Sequence, residues 1–433
     1  MKSYTLNNFP LFSCRIVYGA SPIKTSVGSM TGNTVEQDIG RFMQGENRAC
    51  EFDRLCAEEL GRNISELFGI SLETVCIDET DLQDGDILVG KIGAVAAPTD
   101  ERAYVCDTVQ VGEGKYFSIV GGSYGATWHA IAALCEYWKV GEATDLADGM
   151  PKTGFAPLKT VACLGDSITR GSQALPDGNG FGTPDGLAAS FGGAATSIYF
   201  EQFLSYPANL QRSLWKDYLI FNFGRGFSSM RKLCVDASGG PVYYRETAAY
   251  ERCRSYSKRE DFCFDAVLIM LGTNDSGRDG GAKTWGAEQR EDYFREAKLL
   301  VDEMVQDSPR AKIVLMTVPH SCDCHSPSQN NTAVRQMQRD AVARMRRDGY
   351  NISCFDMGAY TAEHMGTGHG ATKEEEIEIH ADYYNIRTET GKPDTTHPNY
   401  RGYASIAAGV EGLILYLLSD GEIPEYLVKD ALS

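Results

Sequence analysis

Residues 160–171, TVACLGDSITRG, pass without a break from an apolar run of small and β-branched residues into a Gly-Asp-Ser turn. A run with no polar alternation is what a strand covered on both faces of a parallel sheet requires. Segments of the same kind follow at YLIFNFG (218–224), AVLIMLGTND (266–275), KIVLMTVP (312–319) and ISCFDM (352–357). Between and after them lie helix-patterned stretches from about Thr196 to Leu214, Arg290 to Val305, Thr332 to Arg347 and Asn399 to Leu418. Alternation of strand and helix predicts an α/β fold, a three-layer doubly wound parallel sheet, over residues 158–433.

Upstream of this region the pattern is mixed. SCRIVYGA (13–20), a polar helix around Glu51 to Phe68, DILVGK (86–91), YFSIVGG (116–122) and a helix from Thr127 to Trp138 read as a small α+β domain over residues 1–138. Ile131, Leu134, Cys135 and Trp138 recur at helical spacing and mark the core-facing stripe of that last helix. Residues 139–157, rich in Gly, Pro and acid and without periodicity, read as a linker.

Composition bounds the function. The 433 residues carry a net charge of −18, which repels nucleic-acid phosphates and anionic lipid, so neutral small-molecule or carbohydrate substrates fit better. No apolar stretch approaches the roughly 20 residues needed to span a bilayer. The first residues lack an apolar core followed by a cleavage site, and 13 scattered cysteines look like reduced thiols. Both features lead us to expect a cytoplasmic protein; a secreted one with its leader removed is the alternative.

In a parallel α/β sheet ligands bind beyond the carboxyl ends of the strands, so the polar residues just after the apolar runs carry the interest. They are Gly165-Asp166-Ser167, Gly224 to Gly226, and Gly272-Thr273-Asn274-Asp275. A fourth element, Asp394-Thr395-Thr396-His397-Pro398, precedes the last helix. There Pro suits a first helical turn and a spacing of three would bring Asp and His to one side. Acyl transfer needs a hydroxyl nucleophile, a base, an acid to orient the base, and donors for the developing oxyanion. These elements supply all of them, with no cofactor and no metal.

Taken together, GDSITRG, NFGRG, GTND and DTTHP resemble the four sequence blocks of the SGNH/GDSL hydrolases, in the family's order, over roughly Thr160 to Leu418. The resemblance implies a flavodoxin-like sheet with Ser167 as nucleophile and first oxyanion donor. It further implies Gly226 as backbone donor, Asn274 as side-chain donor, His397 as base and Asp394 as its partner, with Gly165, Asp166, Gly224 and Asp275 in support. One departure stands out. The family's donor glycine usually lies five residues beyond the Asn, whereas here Asn222 is followed by Gly224, Gly226 and then Phe227, so Gly224 or the Phe227 amide is the alternative donor. The first domain, through DILVGK and KYFSIVGGSYGATWHAIAALCEYW, resembles the non-catalytic α/β domain of hexosaminidase-type and glucuronidase-type glycoside hydrolases. That implies a history with carbohydrates. The expected activity is that of a serine-dependent ester hydrolase, a carbohydrate O-acetyl esterase; a lipase or thioesterase, or a non-catalytic carbohydrate-binding protein, is the rival.

Other signals have plainer readings. Gly121-Gly122-Ser123-Tyr124-Gly125 fits a G-x-S-x-G elbow but is expected to be a structural turn. His320-Ser321-Cys322-Asp323-Cys324-His325 could ligate a metal, but no second ligand segment is evident, so it is expected to line the substrate cleft. The Gly-rich segment Gly171 to Ala195 reads as a cover beside Ser167. The stretch holding His364, His369 and His380 reads as an exposed loop. Arg170 and Arg225, inside the blocks, could hold an anion, though pairing with carboxylates is commoner.

Overall fold

The computed structural model describes residues 3–19, 51–90, 92, 95–141, 143–171, 205–232, 242–259, 261–275, 286–320, 331–369, 372–387 and 392–419. The chain divides into two compact units, Met1–Leu158 with Trp215–Leu219, and Lys159–Leu214 with Ile220–Ser433.

The first unit opens with a short hairpin, β1 (Thr5–Leu6) and β2 (Phe9–Pro10). Its six-stranded sheet has the order β4-β3-β5-β7-β6-β8, formed by β3 (Arg15–Tyr18), β4 (Glu73–Cys76), β5 (Ile87–Val89), β6 (Ala103–Val111), β7 (Gly114–Gly121) and β8 (Thr153–Phe155). Strands β4, β3, β5 and β7 are parallel, while β6 is antiparallel to both of its neighbours. Helices α1 (Glu51–Phe68) and α2 (Tyr124–Val140) accompany this sheet. Ile131, Leu134, Cys135 and Trp138 of α2 are buried, as their spacing predicts.

The stretch 139–157, expected to be a linker, is woven into this unit. Thr153–Phe155 extends the sheet as β8, the Asp145 carboxylate accepts from the amides of Asn7 and Asn8, and the Trp138 indole donates to the Leu146 carbonyl at 3.0 Å. Its Gly and acidic residues serve turns and caps, which compositional reading cannot tell from a free linker.

The second unit is built on a five-stranded sheet of order β10-β9-β13-β14-β15, from β9 (Lys159–Gly165), β10 (Tyr218–Gly224), β13 (Ala266–Met270), β14 (Lys312–Met316) and β15 (Ile352–Phe355). The pairs β9–β13, β13–β14 and β14–β15 are parallel. Two-residue strands β11 (Ser228–Ser229) and β12 (Val242–Tyr243) pair in parallel, and β16 (Tyr384–Arg387) with β17 (Lys392–Pro398) forms an antiparallel ribbon. The helices are α3 (Ser167–Arg170), α4 (Tyr206–Ser213), α5 (Ala248–Ser257), α6 (Ala287–Asp307), α7 (Asn331–Arg347), α8 (Met357–Met365), α9 (Lys373–Ala381) and α10 (Tyr400–Leu418).

Alternation along the strands sorts the core. Val267, Ile269 and Leu271 join Ala162 and Leu164 in one cluster with Tyr293, Leu300 and Met304 of α6 and Val334, Val342 and Met345 of α7. On the other side α10 packs against α4, α8 and β13. A buried Leu or Ile contributes about 1.5–3 kcal/mol here, so the sheet is a rigid platform for whatever sits at its strand ends. Among the described residues no helix is long and apolar enough to cross a membrane.

One expectation fails outright. The stretch from Ala362 to Tyr384 is not an exposed loop: it contains α9 and leads into β16, and His380 is fully buried. The missed signal was local. Thr372 and Glu375 form a reciprocal capping box at the start of α9, the T-x-x-E pattern that opens helices. The run of Glu residues after it hid the helix by making its sequence look solvated.

Candidate active site

Strand β9 ends at Gly165, and Asp166 caps the single turn α3, whose first residue is Ser167. The Asp166 carboxylate accepts from the Ile168 amide at 2.9 Å, and the nearby Thr273 backbone amide also favours its charged form. Burial pushes Asp166 up to about 6, and these bonds oppose the rise. The Gly-Asp-Ser turn is thereby fastened to the Thr273–Asp275 turn that follows β13.

That second turn faces three ways. Thr273 meets Asp166, the Asn274 side-chain amide donates to the Ser228 carbonyl at 2.9 Å, and Asp275 accepts from the amides of Met230 and Arg231 at 2.8 and 2.9 Å. Asp275 is fully buried, with the Arg231 guanidinium 3.5 Å away and itself almost fully buried. Burial pushes Asp275 up to about 6, while the two amides and Arg231 pull the other way.

The segment after β10 is fixed from both ends, because the Arg225 amide donates to the Gly165 carbonyl at 2.9 Å and Asn274 holds Ser228. The Gly224 amide donates to Asn222 Oδ1 at 2.9 Å, so it is already committed and is not available to an oxyanion. A Cβ on Gly224 would lie 2.2 Å from the Arg170 backbone nitrogen, so only glycine lets this strand end approach α3. The Arg225 guanidinium donates to the Gly226 carbonyl at 3.1 Å, bracing the turn. Among the described residues no hydrogen bond occupies the N–H of Gly226. Next to it Phe227 has φ 59°, the left-handed region, which costs a bulky L-residue about 1–2 kcal/mol.

His397 lies on β17, with its Nε2 2.9 Å from Ser167 Oγ across 230 positions of sequence. The setting differs from the one expected. Pro398 ends a strand rather than opening a helix, Asn399 caps α10, and the helical spacing invoked for Asp394 and His397 does not apply on β17. The backbone of Asp394 is in β17; its side chain lies outside the described residues.

Beneath β17 is a buried polar group that the sequence did not reveal. Pro398 pairs with Tyr384, whose hydroxyl donates to the His320 carbonyl and whose ring meets His380 at 4.6 Å. His380 Nε2 rests on the Glu376 carboxylate, which also accepts from the Gly368 amide, and the His320 ring lies 3.2 Å from the Arg335 guanidinium. His320, expected with His325 to line a substrate cleft, packs its ring on Gly368 and Arg335.

Burial, aided by Arg335, lowers His320 to about 4, and burial lowers His380 as well, against the pull of Glu376. A lowered histidine binds fewer protons folded than unfolded, so its stabilisation is complete above about pH 6.5 and is lost as pH falls toward 4. Asp166 and Asp275, raised to about 6, act oppositely across an overlapping window, so a variant is needed to isolate the effect. The Tm gap between wild type and His320→Gln should therefore narrow as pH is lowered from 7 to 4.5 in a melting series. A gap that stays constant would refute this account.

The remaining expected sites resolve as follows. Ser123 caps α2, accepting from the Ala126 amide with an ordinary extended φ of −142°, and Gly122 abuts the Asp100 carbonyl. This is a turn built for packing. Residues 321–325 of the His-Cys segment and 172–195 of the expected cover lie outside the described residues, and among the described residues no three metal-ligating side chains cluster. A cavity of about 570 Å³, lined in part by Tyr243, Arg245, Tyr250, Arg254, Lys258 and Glu303, contains none of the four blocks, and Arg245 and Glu303 in its wall pair at 2.6 Å.

Comparison with known proteins supplies the family. No curated protein sequence matches the chain. Similar solved structures include a carbohydrate esterase family 2 enzyme plus carbohydrate binding domain from Corynascus thermopiles (Myceliophthora fergusii), 18% identical with TM-score 0.40 over 62% of this chain and 72% of that one. A family two carbohydrate esterase from Clostridium thermocellum in complex with cellohexaose is 18% identical, with TM-score 0.38 over 62% and 66%. A member of the lipolytic protein G-D-S-L family from Veillonella parvula DSM 2008 is 14% identical, with TM-score 0.36 over 61% and 100%. The family model for GDSL-like lipases and acylhydrolases matches residues 163–404, which span all four blocks, and the chain belongs to the GDSL-like lipase/acylhydrolase family.

Proposed function

We propose that this protein is a serine-dependent acyl-ester hydrolase that removes acetyl or another short acyl group from a carbohydrate. The observation that carries the reading is the 2.9 Å approach of His397 Nε2 to Ser167 Oγ at the carboxyl end of β9. Ser167 attacks the ester carbonyl while His397 takes its proton, and Asp394 holds the imidazole in the required tautomer. The oxyanion is received by the amides of Ser167 and Gly226 and by Asn274. A carboxamide has two N–H donors, and among the described residues one of those on Asn274 is engaged, by the Ser228 carbonyl. His397 then returns its proton to the leaving alcohol, and water, activated by the same base, releases the acid. The carbohydrate part rests on the resemblance of the first domain to glycoside-hydrolase accessory domains and on the net charge of −18, which favours neutral substrates.

An activity-based fluorophosphonate should label the protein at one residue, and peptide mass spectrometry should find the adduct on Ser167 and not on Ser123. Labelling of Ser123, or of neither, would be incompatible with this mechanism.

A further inference from the structure

Phe227 occupies a position that neither its backbone nor the core favours. It sits third in a β-turn closed by the Ser228 amide on the Arg225 carbonyl at 3.2 Å, and φ 59° at that place suits glycine. The glycine of the pair, Gly226, stands one position earlier, where φ is not positive and the backbone does not call for glycine, although a Cβ there would come 3.0 Å from the Arg170 guanidinium. The order is the reverse of what the turn alone would select. The ring does not repay the strain by packing, since Phe227 is 61% exposed, the most exposed aromatic side chain in the second unit among the described residues.

The turn is nonetheless tightly placed. Arg225 is bound to Gly165, two residues before the nucleophile, the Phe227 carbonyl accepts from Val242 at 2.8 Å, and Ser228 is bound by Asn274. An aromatic ring is thus mounted on a backbone fixed between the nucleophile turn and the Asn274 turn. Strain held at such a site points to a role outside folding.

We propose that Phe227 is a substrate-contacting residue that sets alcohol specificity, its ring forming a flat platform for the apolar C–H face of the sugar whose ester is cleaved. This rests on the hydrolase reading above and specifies its substrate side. A broad exposed ring matches a pyranose face better than a narrow acyl chain, and aromatic rings give large contact area at low cost in side-chain entropy.

The test compares acetate release from glucose pentaacetate and from ethyl acetate, which has no ring, by wild type, Phe227→Gly and Phe227→Trp. Phe227→Gly should raise KM for glucose pentaacetate about five- to tenfold with kcat little changed, leave KM for ethyl acetate unchanged, and raise Tm by a few degrees through lost strain. Phe227→Trp should keep the low KM. Equal KM changes for both esters, no change for either, or a lower Tm in Phe227→Gly would overturn the proposal alone. No acetate release from either ester by the wild type would overturn the hydrolase reading and this proposal with it.

Discussion

Ser167→Ala should lower kcat/KM for p-nitrophenyl acetate by about 10⁴-fold or more while leaving Tm within about 2 °C of the wild type. The expectation follows from the division of labour at the site. Ser167 Oγ has His397 Nε2 at 2.9 Å, whereas α3 is capped by the Asp166 side chain and the turn is held by Arg225 on Gly165. Removing the hydroxyl therefore deletes the nucleophile without loosening the loop that carries it. Residual activity should reflect the oxyanion donors and binding alone. Steady-state rates and a melting curve on the same preparation decide the matter, and activity within tenfold of wild type would end the serine mechanism.

Asp275→Ala should be the most damaging of the substitutions considered, costing about 3–5 kcal/mol, because it strands a buried cation and two amides at once. The carboxylate is the shared acceptor for Met230 and Arg231 and the counter-charge to an Arg231 side chain that is 3% exposed. For a domain of this size that is a fall in Tm of about 10 °C or more. Asp275→Asn, which keeps one acceptor oxygen, should fall between. Esterase activity should drop further than stability alone explains, since the same turn carries Asn274. A Tm unchanged in both variants would mean that the loop after β10 is held from elsewhere.

How much of this was legible in the sequence depends on how local each signal is. The strands of the second sheet could be read because each is a predominantly apolar run, and the blocks at their ends because each is a short motif in a fixed place along the chain. That TVACL and AVLIML lie side by side, with Gly165 opposite Met270, then follows from the parallel pairing. What could not be read was whatever depends on contacts far apart in sequence and on polar residues. Asp166 on Thr273 looks like two unremarkable residues until the strands are aligned. Helix α9 was hidden by its glutamates, although the buried Glu376 and His380 alternate on it with exposed ones. Strand β6 went unseen because Asp107 and Gln110 interrupt it. The Asp-His block was placed at a helix start because Pro398 fits there, whereas the pairing with β16 makes it a strand, and pairing is a property of two segments rather than one.

The three-way turn at Thr273–Asp275 has a consequence for how the site meets developing charge. Because its members are fastened at folding to the nucleophile turn, to Ser228 and to the Met230–Arg231 amides, little dipole reorientation is left for the moment when the ester oxygen becomes anionic. The outlay falls in the folding equilibrium instead. Carboxyls raised to about 6 by burial contribute their full stabilisation only below about pH 4 and lose it as pH climbs through 6, so at neutral pH the folded chain carries Asp166 and Asp275 as a standing penalty. The molecule thus trades resting stability for a small reorganisation energy.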